Sequence, residues 1–151
     1  MVINENIRDI KDISIPQIQH SLMFKEIVIN KLNLTDGMTY TISLDAKQIG
    51  EKTNGFTFNL YNVGPKRVIA QTGVFDKRNH MTFKYEEGKT HKINVYTGLL
   101  DVMTNSGAKF YNIKLEKGDK MTPYLPYVNS LDPSKQAIFV AGGTFKEVYP
   151  I

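Results

Sequence analysis

FYNIKLEKGDKMTPYLP, residues 110–126, is the stretch whose reading decides the fold. Tyr111, Ile113 and Leu115 alternate with Asn112, Lys114 and Glu116, the period of two expected of a half-buried strand. Gly118 then supplies a turn, and Pro123 and Pro126 hold the following residues extended and outside any helix. The pattern predicts a closing strand with Tyr111, Ile113 and Leu115 in the core and Asn112, Lys114 and Glu116 on the wet side.

Upstream, the same alternation recurs from Met38 to Leu115 with turn signals between the runs, as short antiparallel strands require. Tyr40, Ile42, Leu44 and Ala46 share one face and Thr41, Ser43, Asp45 and Lys47 the other. In FTFNLYNV, Phe56, Phe58 and Leu60 read inward and Thr57, Asn59 and Tyr61 outward, before Gly64-Pro65 ends the run. A strand of unclear register follows over Val68–Ala70 and Gly73–Phe75. Met81, Phe83 and Tyr85 form the next, and in HKINVYTG Ile93 and Val95 oppose Asn94 and Tyr96. Ser21–Leu34 supplies the first strand or two, since Ile27-Val28-Ile29 is β-branched. Ahead of it, Ile3, Ile7 and Ile10 have helical spacing, so residues 1–20 read as a short helix or an extended arm. Beyond the prolines, Ala137–Val140, Gly142-Gly143 and Thr144–Tyr149 read as a hairpin that packs on the domain or on a neighbour. The division is therefore an arm over 1–20, a β-sandwich over 21–126, and a linker with hairpin over 127–151.

Composition limits the functional classes. The 151 residues suit one domain with a substantial core. With no cysteine there is no disulfide framework, thiol nucleophile or thiolate metal site. No apolar run approaches the roughly 20 residues of a membrane span, and MVINENIRDIKD lacks the profile of a secretory signal, so the expected place of synthesis is a cytoplasm. There the N-L-T triplet at Asn33 carries no glycan. A net charge of +4 is moderate. Its clusters at Lys66-Arg67, Lys77-Arg78 and His91-Lys92 adjoin turns and read as solubilising loop charge, with weak attraction to a phosphate-bearing wall polymer as the sharper alternative. Aromatic and basic residues are not interleaved as nucleic-acid binding would need.

Three stretches together resemble a known family. GMTYTISLDAK (residues 37–47), the middle strand ending in Tyr96-Thr97-Gly98, and AKFYNIKLEKGDKMTPYLP (108–126) are similar to the carbohydrate-binding-module-like jelly-roll domains of tail and baseplate proteins from phages of Gram-positive bacteria. The resemblance covers residues 32–126. It implies an all-β, antiparallel jelly-roll sandwich with one slightly concave sheet able to hold a saccharide, in a protein of the virion tail that aids adhesion to the host. It also implies tail or baseplate proteins as partners and a cell-wall polysaccharide as ligand; the basic clusters add teichoic acid as a candidate ligand, and the apolar surface of both chain ends favours contacts with partners or self-association. A purely structural role in baseplate assembly is the alternative.

Sugar recognition needs an aromatic face against pyranose C–H groups and amides or carboxylates for the hydroxyls. The wet faces then offer Asp45, Lys47, Asn59, Tyr61, Asn94, Tyr96, Asn112, Lys114 and Glu116, joined by Phe110 if the strand phase extends back from Asn112. Calcium is a structural ion of related jelly rolls, so Asp101, Asp119 and Glu116 are its candidate donors; no other cofactor is expected. No catalytic motif is present: His20, His80 and His91 are widely spaced, and Glu86 and Glu87 point to opposite faces of a strand. A non-catalytic binding protein is the expectation.

Overall fold

The computed structural model describes residues 2–63, 66–100, 102 and 105–128. Eight strands carry the chain: β1 (Ile13–Ile15), β2 (Phe24–Val28), β3 (Thr39–Gly50), β4 (Phe56–Val63), β5 (Lys66–Gly73), β6 (Arg78–Lys84), β7 (Lys92–Tyr96) and β8 (Ser106–Lys117). A 3-10 turn, Ile29–Leu32, is the one helical element among the described residues. There, no helix is long and apolar enough to cross a membrane.

Strand β1 pairs with β8, β2 with β7, β3 with β6 and β4 with β5, all antiparallel. That is one long hairpin of strand pairs. Rolling it up adds the contacts β3–β8 and β4–β7 and yields two sheets, ordered β1-β8-β3-β6 and β2-β7-β4-β5. The result is an antiparallel jelly-roll sandwich. Inward residues of both sheets form one core in which Phe56 and Phe110 meet edge to face across the sandwich, ring centroids 5.1 Å apart. Ile42, Leu44, Phe58, Leu60, Ile93, Ile113 and Leu115 fill the rest, each fully burying side chain contributing about 1.5–3 kcal/mol.

Strand β8 departs from strict alternation. Its pairing with β3 shifts register between Ser43 and Asp45, opposite Asn112, which has φ 48°. One extra residue here flips the phase, as a β-bulge does. Ala108 and Phe110 face the core before the bulge, and Ile113 and Leu115 face it afterwards. Tyr111, expected inward, is instead half-buried on the outer surface with the Lys109 ammonium 5.6 Å from its ring centre.

The N-terminal segment is extended rather than helical, because the edge of β8 offers unpaired backbone groups that an extended chain can satisfy. Asn6 acts like a strand residue through its side chain: Nδ2 donates to the Ile113 carbonyl at 3.3 Å and Oδ1 accepts from the Leu115 N–H at 3.1 Å. The Ile7 N–H reaches the Leu115 carbonyl at 2.9 Å, and β1 continues the pairing. Gly107 is required where β1 crosses, since a Cβ there would sit 2.4 Å from the Ile15 carbonyl oxygen. The hairpin expected over 137–149 lies outside the described residues.

Candidate functional site

The ten candidate residues divide between the outer faces of the two sheets, with one in the core. Phe110 is that one: it is 0% exposed beneath the Phe56 ring and is corrected from the wet face to the interior, because the bulge at Asn112 separates its phase from that of Lys114 and Glu116.

Asp45, Lys47, Asn112, Lys114 and Glu116 belong to the outer face of the β1-β8-β3-β6 sheet. Lys47 is exposed. Asp45 accepts from Asn112 Nδ2 at 3.0 Å and lies 3.5 Å from the Arg78 guanidinium. Arg78 also donates to the Asn112 carbonyl and, at 2.8 Å, to Ser43 Oγ. This arginine sits in the Lys77-Arg78 cluster read as loop charge; its place in β6, directly opposite Asp45, makes it a cross-strand partner instead. Burial lowers its pKa, against the attraction of Asp45.

Lys114 and Glu116 are not on a wet face: both side chains are fully buried. After the Gly118 turn the chain doubles back across the sheet, and these two residues hold it there. Lys114 Nζ donates to Thr122 Oγ1 at 2.8 Å and to the Pro123 carbonyl at 2.7 Å. Glu116 accepts from Thr122 Oγ1 at 2.6 Å, from the Thr122 N–H at 3.2 Å and from Asn4 Nδ2 at 3.3 Å. The two charges stand 3.6 Å apart. Burial pushes the Lys114 pKa down, with Glu116 opposing the shift. Tyr124, next along the covering segment, has its pKa raised, chiefly by burial, while Arg78, 5.3 Å from its ring centre, pulls the other way. Glu116, one of the calcium candidates, thus has its oxygens engaged by protein donors. No group of three or more His, Asp or Glu is placed to hold a metal ion among the described residues.

The other four candidates, Asn59, Tyr61, Asn94 and Tyr96, come together on the outer face of the β2-β7-β4-β5 sheet. Phe58 and Leu60 face the core, so their neighbours in β4 face out, and the β4–β7 register sets Asn59 directly opposite Asn94 and Tyr61 opposite Lys92. Asn59 is 0% exposed, and neither its Oδ1 nor its Nδ2 has a hydrogen-bond partner; Asn94, 5% exposed, has an unpartnered Oδ1. At one end of the pair, the Lys92 ammonium lies 5.6 Å from the Tyr61 ring centre and 3.3 Å from Glu26. Toward the other, Tyr96 stacks on the exposed Phe24 at 5.1 Å. Lys92 and Tyr96, four residues apart, are separated by roughly 13 Å along the strand. This outward side therefore carries aromatic rings at both ends, Tyr96 itself buried, with enclosed and unpartnered amide groups between them.

Sequence reading missed Lys92, Glu26 and Phe24. The cue for Lys92 was its position two residues before Asn94, which puts it on the same face. His91, expected near a turn, is wholly buried and hydrogen-bonded: Nδ1 lies 3.1 Å from the Lys89 carbonyl and Nε2 accepts from the Glu86 N–H at 3.4 Å.

No protein-family model matches the chain, and no curated protein matches it. Among solved structures it is similar to a family 16 carbohydrate-binding module, with 14% identity, a TM-score of 0.45, and 69% of this chain and 73% of that chain covered. It is also similar to the tripod from the baseplate of bacteriophage Tuc2009, with 17% identity and a TM-score of 0.43, over 80% of this chain and 50% of that one.

Proposed function

We propose that this chain is a non-catalytic saccharide-binding module of a phage tail tip or baseplate, which adheres to the host cell wall through the outer face of the β2-β7-β4-β5 sheet. The observation that carries the reading is the Asn59–Asn94 pair. A buried amide without a partner costs about 1–3 kcal/mol, and such groups are uncommon enough in folded proteins to call for an explanation. A sugar hydroxyl both donates and accepts, so one edge of a pyranose can serve the carbonyl and NH₂ groups of the two amides. Tyr61 and Tyr96 provide ring faces for its C–H groups on either side. Because both amides are closed off from water, the side chains around them swing aside as the sugar enters. The motifs GMTYTISLDAK and NIKLEKGDKMTP supply the phage-tail setting through the resemblance they carry.

Binding to a glycan array and co-sedimentation with purified Gram-positive cell walls test this reading. Wild-type protein binds at least one of them, and Asn59→Val abolishes the binding while the protein stays folded. A folded wild-type protein that binds neither sinks the proposal.

A second reading, assembly without glycan binding, is favoured by one observation: exposed Ile18 and Ile49 lie in segments gathered around Asn105, where the His20 N–H meets Asn105 Oδ1 at 2.8 Å and the Glu51 N–H meets the Asn105 carbonyl at 3.2 Å. Exposed apolar side chains grouped in this way suit a contact with other tail proteins or a second copy. Under that reading Ile18→Asp/Ile49→Asp lowers the mass seen by light scattering and Asn59→Val changes nothing.

A further inference from the structure

We propose that the groove between the N-terminal segment and residues 124–128 is a second saccharide-binding site. It lies on the other side of the sandwich from the Asn59–Asn94 face and takes its ligand class from its own lining. Two cavities of ≈430 and ≈460 Å³ meet there, with Asn6 and Tyr127 lining both. Each falls within the range of small-molecule sites.

Tyr124 and Tyr127, three residues apart, present half-buried rings along the groove, and Asp9, Asp12 and Glu5 bring carboxylates to its rim beside Arg8, Lys11 and Lys117, with Lys11 paired to Asp9 at 2.7 Å. Rings match the C–H faces of pyranoses, and carboxylates accept from their hydroxyls.

Both walls are fixed before any ligand arrives. On one side, Asn6 is clamped to β8, and the Arg8 guanidinium donates to the carbonyls of Ile7, Leu32 and Asn33 at 2.7, 2.5 and 2.8 Å. On the other, Lys114 and Glu116 pin Thr122 and Pro123 immediately before Tyr124. A groove with both walls held in place loses little conformational entropy on binding.

Titration of the full chain followed by ¹H–¹⁵N NMR tests the assignment, with two probes: a panel of neutral oligosaccharides of glucose, galactose, rhamnose and N-acetylglucosamine, and a soluble poly(glycerol phosphate). At least one neutral sugar is expected to shift the amides of Asp9–Asp12 and Tyr124–Tyr127. Tyr127→Ala weakens that event about tenfold, a loss of about 1.4 kcal/mol. Tyr127→Phe retains it, and Asn59→Val leaves it unchanged. Shifts confined to Thr57–Tyr61 and Asn94–Tyr96 overturn the second site and leave the sheet-face site standing. Shifts in the groove with the phosphate polymer alone, or with no probe, also overturn it. Groove shifts without any on the sheet face support it and count against the sheet-face reading.

Discussion

The two outer faces of this sandwich bury polar groups in opposite ways. On the β1-β8-β3-β6 sheet, Lys114 and Glu116 are wholly enclosed, yet the ammonium and the carboxylate each find several partners in Thr122, Pro123 and Asn4. On the β2-β7-β4-β5 sheet, Asn59 and Asn94 are just as enclosed, and three of their amide atoms have none. A buried polar group that is satisfied holds structure together, and one that is not spends stability on something else. The first face is closed by satisfied polar contacts, and the second encloses amide groups that have none.

The largest effect expected from this contrast comes from breaking the closure. Lys114→Met leaves the Glu116 carboxylate buried without its countercharge, which costs about 3–5 kcal/mol in chemical denaturation. Adding Glu116→Gln recovers part of the loss, because a neutral amide is cheaper to bury than an unpaired carboxylate. If Lys114→Met alone costs under about 1 kcal/mol, the segment over the sheet is held by something other than this pair.

On the opposite face the sign reverses. Asn59→Val swaps an unpartnered amide for an apolar side chain of similar size that suits a strand, so it raises stability by about 1–2 kcal/mol while cell-wall binding disappears. Stability gained with function lost is the mark of a group retained for its task. A fall in stability on thermal melting shows instead that Asn59 is a structural residue, and the contrast between the faces collapses.

Asn112 gives a smaller effect. It holds φ 48° in the bulge, and its side chain bonds Asp45. Asn112→Ala pays for the left-handed conformation and costs about 1–2 kcal/mol. Asn112→Gly keeps the bulge and loses only the side-chain bond, so its denaturation midpoint lies between those of wild type and Asn112→Ala. Equal midpoints for the two variants remove the bulge from the account of why Lys114 and Glu116 face outward.

Much of this architecture was legible in the sequence, and the failures have physical causes. Alternation placed β3, β4, β6, β7 and β8, since a strand with one face in the core must repeat every two residues. It misassigned Phe110 and Tyr111 because a single extra residue inverts the phase, and nothing in FYNIK announces it apart from an asparagine, a residue that tolerates positive φ. Lys114 and Glu116 read as wet because outward was equated with exposed; Thr122-Pro123, only a few residues on, is what covers them. Ile3, Ile7 and Ile10 left a short helix and an extended arm both open, and the unpaired edge of β8, more than 90 residues away, decides for the extended form. Asn59, Tyr61, Asn94 and Tyr96 share one outer face, as alternation requires, because β4 and β7 are regular where they pair, but Asn59, Asn94 and Tyr96 are buried there rather than wet. That two of its amides would lack partners is a three-dimensional fact.

The finest test of the comparison is a pH dependence on the closed face. Tyr124 is covered there, and burial raises its pKa above the ordinary value of 10.0, with Arg78 opposing and Asp12, Asp9 and Asp45 reinforcing. In the unfolded chain the phenol releases its proton around pH 10.0, whereas in the folded chain it keeps it to higher pH. Between those points the folded state binds more protons, so its stability falls as pH rises. Below pH 10.0 both states are protonated and the tyrosine contributes no slope. Tyr124→Phe has no proton to lose. The stability difference between wild type and Tyr124→Phe should therefore stay flat up to pH 10.0 and then move against wild type, as read by urea denaturation on both sides of that value. A difference that stays flat throughout means that Tyr124 meets water as freely in the folded chain as in the unfolded one. The covering segment would then be loose over the sheet, and the contrast would rest on Lys114 and Glu116 alone.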